Sequence, residues 1–95
     1  MAERKKSSEL IGKTVATGEG HIIGTVNEVL VDTQWSVTDL QIKVEKGAAK
    51  QMGLKTPLIG SLLILVETAR VKAVTDQVLI DIALAEFKDY VDGRK

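Results

Sequence analysis

Val37-Thr38-Asp39-Leu40-Gln41-Ile42-Lys43-Val44-Glu45-Lys46 is the stretch on which the fold turns. Leu40, Ile42 and Val44 fall on one parity; Asp39, Gln41, Lys43 and Glu45 fall on the other. Successive strand side chains point to opposite faces, so this segment reads as a half-buried antiparallel strand with one wet face. Before it, Thr33-Gln34-Trp35-Ser36 connects to His21–Asp32, HIIGTVNEVLVD, with Trp35 at a hairpin tip. The apolar positions of that run are Ile22, Gly24 and Val26, then Val29 and Val31. The alternation therefore changes parity, which predicts a bulge or bend near Asn27-Glu28. Gly24 inside the strand marks a sharp bend or a close backbone approach. Earlier still, Lys13–Thr17 is a short β-branched run closed by Gly18-Glu19-Gly20.

Toward the C-terminus, Gly47–Leu54 holds one helical turn with a stop at Gly53. Lys55-Thr56-Pro57 is loop. Ser61–Val66 is apolar on both parities, unlike the strand before it. Val71–Val74 and Val78–Ile82 follow, separated by Thr75-Asp76-Gln77 as a tight hairpin. From Ala83 the period changes: Leu84, Phe87 and Val91 lie at helical spacing, with Tyr90 beside them. Six short strands, a helical turn and a C-terminal helix make a mainly β fold, a small barrel or sandwich.

Ninety-five residues suffice for one core. Hydrophobic residues at 44% and charged residues at 27% are globular, not disordered, proportions. Thirteen bases balance thirteen acids, so no global field collects nucleic acid or an anionic membrane. A basic tail, residues 1–7, precedes a mildly acidic body. The chain lacks cysteine, which removes disulfides, thiolate chemistry and Cys-type zinc sites. Met1–Leu10 has no apolar core of a secretory signal. The longest apolar stretch, Leu58–Val66, is interrupted by Gly60 and Ser61 and falls well short of the roughly 20 residues of a membrane span. The expectation is a cytoplasmic, single-domain protein.

Catalysis needs convergent acids, bases, nucleophiles or metal ligands, and the inventory is thin. His21 is the single histidine and reads as an exposed strand-start residue. Asp32 and Asp39 flank a hairpin, where aspartates cap turns. Gly18-Glu19-Gly20 with Gly24 has neither dinucleotide-binding nor phosphate-loop spacing and leads into a strand. No catalytic residue, cofactor or metal is expected. Trp35, Phe87 and Tyr90 do not interleave with a basic stripe, as base-stacking barrels require.

Leu62–Val66 offers surplus apolar surface, because alternating side chains cannot all enter one small barrel. One parity needs a second cover. The favoured cover is a protein partner, most simply in a symmetric homodimer; the alternative is Leu84, Phe87 and Val91 of the same chain. Trp35 either packs across the barrel end or anchors a partner.

These residues resemble the PRC-barrel, first described in the H subunit of photosynthetic reaction centres. Leu10-Ile11-Gly12-Lys13-Thr14-Val15 is similar to its opening. The likeness runs through Gly20, Ile23, Gly24, Val26 and Val29 to Asp32, then Val37-Thr38 and Leu40. It ends in Ile64-Leu65-Val66-Glu67 and Val71–Ile80, and covers residues 8–82, leaving 83–95 as an amphipathic helix and tail. Val66 and Thr75 stand where the family often has proline and glycine, and Asn27-Glu28 where an aspartate is common. The resemblance implies a six-stranded β-barrel used for binding rather than catalysis. The chain is similar to stand-alone archaeal members, some of which act in cell division. Those dimerise and link to SepF, the membrane anchor of the tubulin-like FtsZ.

The expected function is thus a homodimeric adaptor recruited to the division site. It would bind a SepF-like anchor or a paralogous PRC-barrel protein through a strand edge or the C-terminal segment. Leu63, Leu65, Trp35, Phe87 and Tyr90 are the expected interaction residues. The alternative is an RNA- or ribosome-associated module like the barrel of RimM, which the zero net charge disfavours. A ligand inside the barrel is disfavoured because side chains fill a barrel of this size.

Overall fold

Residues 7–94 are described by the computed structural model. Of the expected basic tail, residues 1–6 lie outside the described residues; Ser7 opens a one-turn helix, α1 (Ser7–Leu10). Six strands follow: β1 (Thr14–Thr17), β2 (Ile22–Val31), β3 (Val37–Val44), β4 (Leu62–Glu67), β5 (Val71–Val74) and β6 (Gln77–Ile80). They form one sheet in the order β4-β3-β2-β1-β6-β5. The ladders are antiparallel except β1 with β6, which is parallel. Inward residues of β1, β2, β3, β4 and β6 share a single core, so the sheet curls around it. It does not close, since β4 and β5 remain its two edges.

The deciding strand behaves as its alternation demands. Leu40, Ile42 and Val44 are buried, while Lys43 faces solvent. In β2 the register steps from Val26↔Ile42 to Glu28↔Gln41, so Asn27 is the extra residue of a bulge. Its amide donates to Gln41 Oε1 at 2.7 Å. The bend falls where the change of parity predicted it, but the faces differ from the expectation. Ile23 rather than Ile22 enters the core, because the register with β1 also skips a residue between Gly24 and Ile22, and Val31 is exposed. Gly24 marks a close approach: a Cβ there would lie 2.0 Å from the Lys43 carbonyl oxygen. Only a residue without a side chain lets β2 and β3 cross at that point.

Helix α2 (Lys46–Gln51) buries Ala48 and Ala49. It ends on Gly53 at φ 74°, where the Gly53 and Leu54 amides return to the Lys50 and Ala49 carbonyls. That 5→2 and 6→1 pairing is a Schellman stop, which glycine's freedom at positive φ permits. After β6 a 3-10 turn (Leu84–Glu86) leads into α3 (Phe87–Gly93). Phe87 is wholly buried in the core, with Leu84, Tyr90 and Val91 packed around it.

Candidate interaction surface

Edge strand β4 carries the surplus apolar parity on its outer face. Ile64 and Val66 point into the core; Leu63 and Leu65 point out, 45% and 38% exposed. Their neighbours across the ladder are Lys43 and Gln41 of β3. The Glu67 amide donates to the Tyr90 hydroxyl at 2.9 Å rather than to β3. Strand alternation then turns the main-chain N–H and C=O groups of Leu63 and Leu65 toward the same open side. An apolar outer face and an unpaired edge therefore coincide on one strand.

Tyr90 belongs to a fastening that ties α3 to the end of β4. Arg94 donates to the Tyr90 hydroxyl at 3.1 Å and reaches Asp39 of β3 at 2.6 Å. The guanidiniums of Arg70 and Arg94 lie 5.8 and 5.7 Å from the Tyr90 ring centroid, within cation–π range. Burial lowers the Arg94 pKa, but the bonds to Asp39 and Tyr90 more than reverse it, leaving it above the ordinary value. Arg70 also donates to the Asp81 carbonyl at 2.6 Å, and the Asp81 amide returns a bond of 2.7 Å. Of the expected interaction residues, Phe87 holds the helix to its own barrel and is not a surface residue. Tyr90 is half-buried. The intramolecular cover weighed from sequence thus exists, and it reaches the β4 edge, where Val91 and Arg94 line a hollow with Leu63, Ile64 and Leu65; Leu63 and Leu65 stay only partly exposed.

Trp35 stands at the far end of the β2–β3 hairpin, 83% exposed. It does not pack across the barrel end. Asp32 organises this loop: its carboxylate accepts from the Gln34 and Ser36 amides at 2.8 and 3.0 Å. Trp35 takes φ 64° in the last position of the three-residue loop, a place that favours glycine. It is separated along the sheet from Leu63 and Leu65, so the expected residues do not form one patch.

Two residues escaped the sequence reading. Leu58 and Ile59, on the loop between α2 and β4, are 104% and 92% exposed. In the sequence they open the interrupted apolar stretch Leu58–Val66, which is too short for a membrane span. The available signal was Pro57 and Gly60 bracketing an aliphatic pair, which places that pair on a loop tip. Behind it, a groove of about 400 Å³ between β4 and α3 is lined by Gly53, Leu54, Leu62, Leu63, Ile64 and Val91, with Lys55, Lys88 and Asp92 as charged members of the lining. His21 is exposed at the start of β2, and its main-chain amide donates to Thr17 Oγ1 at 3.2 Å. No grouping of three His, Cys, Asp or Glu that would hold a metal ion occurs among the described residues.

No helix among the described residues is long and apolar enough to cross a membrane. No curated protein matches the chain at significance. The family model described as the PRC-barrel domain matches residues 2–86, nearly the whole length. A six-stranded curled sheet, with Gly24 at the strand crossing and a helix seated against its edge, agrees with that match, and the chain belongs to the PRC-barrel domain family.

Proposed function

We propose that the chain is a non-catalytic adaptor that works as a homodimer, with the outer face of β4 as its self-contact. The observation that carries this is the outward parity of β4: Leu63 and Leu65 are partly exposed on a strand whose edge pairs with no further strand. Leaving two leucines in water forgoes roughly 1.5–3 kcal/mol for each side chain that a partner would bury. An open edge adds main-chain hydrogen bonds that need no special side chain. A symmetric pair would use the same patch twice. Trp35, exposed at the opposite hairpin, is then free for a second protein, as aromatic anchors commonly are. Membership of the PRC-barrel family supports a binding role, since the family is generally non-catalytic. The division-machinery assignment, with a SepF-like anchor or a paralogous barrel as partner, rests on the resemblance to stand-alone archaeal members.

Light scattering on the size-exclusion peak tests the dimer. The wild-type chain should run at two chain masses and Leu65→Asp at one, still folded and melting cooperatively, with the wild-type melting temperature alone rising with concentration. A monomeric wild-type chain overturns the reading. Pull-down of SepF-like proteins then tests the partner. Recovery of ribosomes or RNA instead, with steep salt dependence, would favour the module of the RimM kind.

A further inference from the structure

We infer that the tip of loop 55–61 completes the dimer contact by entering the groove between β4 and α3 of a second copy of the chain. This rests on the dimeric reading above and names the surface that finishes it. Leu58 and Ile59 are almost fully exposed, and no hydrogen bond among the described residues holds residues 55–61 to the body. Two adjacent aliphatic side chains are thus presented with nothing from their own protomer against them.

A matching receptor lies close by. The groove of about 400 Å³ is walled by Leu54, Leu62, Leu63 and Val91, with Lys55, Lys88 and Asp92 as its charged lining. Its walls include the chain segments on either side of the loop. To fill its own groove, the tip would have to double back within about three residues, next to a proline whose φ is fixed. A second copy meets no such constraint. Because tip and groove are neighbours, a two-fold axis between them lets each loop occupy the other's groove, a self-complementary contact.

The area agrees. Leu58, Ile59, Leu63 and Leu65 together present roughly 500 Å² per copy, so a symmetric pair hides on the order of 1,000 Å², where specific interfaces begin. Leu63 and Leu65 alone present about a third of that, below what a stable dimer needs. The loop supplies the difference.

Sedimentation equilibrium of Leu58→Ser/Ile59→Ser tests the loop. Both side chains are exposed in the protomer, so in dilute solution where both are monomeric the variant should melt as the wild type does, while its dimer dissociates at least about tenfold more readily. Position is read independently, since the chain has no cysteine. Ile59→Cys chains mixed with mass-tagged Lys88→Cys chains should oxidise preferentially to the mixed disulfide pair. If the loop variant dimerises as tightly as wild type while Leu65→Asp is monomeric, the loop inference falls and the dimeric reading stands. A monomeric wild-type chain removes both. A chain carrying both cysteines that closes within one monomer shows the tip in its own groove and overturns the inference. So does a monomer that binds anionic vesicles through Leu58 and Ile59.

Discussion

Trp35 occupies a backbone conformation that L side chains adopt at a cost of about 1–2 kcal/mol. Its indole is 83% exposed and regains little of that by packing. Trp35→Gly should therefore raise the stability of the dilute protein by about 1 kcal/mol in urea unfolding, and Trp35→Ala should not. Loss of stability in the glycine variant would show that the indole packs after all. Strain kept at an exposed aromatic is the expected mark of a residue retained for contact. Gly24 is the opposite case, a position where size alone matters. Gly24→Ala drives a methyl into the Lys43 carbonyl, so β2 and β3 must part. A destabilisation of about 3 kcal/mol is expected, read from the same unfolding curves. A neutral outcome would mean the strands move apart without loss of pairing.

At the scale of elements, β4 and α3 explain each other. Strand β4 has two apolar faces; α3 helps cover one through Phe87 and Val91 and leaves Leu63 and Leu65 on the other partly exposed. Phe87→Ala should cost about 3–5 kcal/mol, because the ring is wholly buried and its loss leaves a cavity. Deleting residues 84–95 should unfold the barrel for the same reason. Survival of the truncated barrel would show that the helix serves a partner instead. Tyr90→Phe removes only the hydroxyl that the Glu67 amide uses. A loss of about 1 kcal/mol is expected, with faster hydrogen exchange at the Glu67 amide than in the wild-type chain. Arg94 has a raised folded pKa, so its contribution is complete below its unfolded pKa and lost only as pH rises through the folded value. Stability from this arginine should stay flat between neutral and mildly alkaline pH.

Across the whole molecule, thirteen bases cancel thirteen acids, and the candidate contact is aliphatic. Self-association should accordingly change less than about twofold between ~0.05 and ~0.5 M salt, measured by sedimentation equilibrium. A collapse at high salt would point to charge pairs such as those of Lys43 or Lys88 as the true glue. The open sheet matters here as well. A closed barrel has no edge to offer, whereas this one ends in β4 on one side and β5 on the other.

Local pattern by itself determined most of the chain. Alternation at Leu40, Ile42 and Val44 identified β3; the parity change located the bulge at Asn27; and Gly53 stopped α2. Each depends on near neighbours in sequence, where side-chain periodicity and backbone freedom act. The outward parity of β4 was half legible: the alternation required that one face lack room inside, and Leu63 and Leu65 were the expected outward pair without a register to fix them there. That assignment needed the register with β3, which places Leu63 against Lys43 and Leu65 against Gln41. Only the tertiary structure decided that Phe87 enters the core and that Tyr90 and Arg94 reach Glu67 and Asp39. Those contacts join residues far apart along the chain, and no short-range periodicity encodes them. The exposure of Leu58 and Ile59 was decided in the same way, because an aliphatic pair reads alike in a strand and on a loop tip until the fold shows what surrounds it.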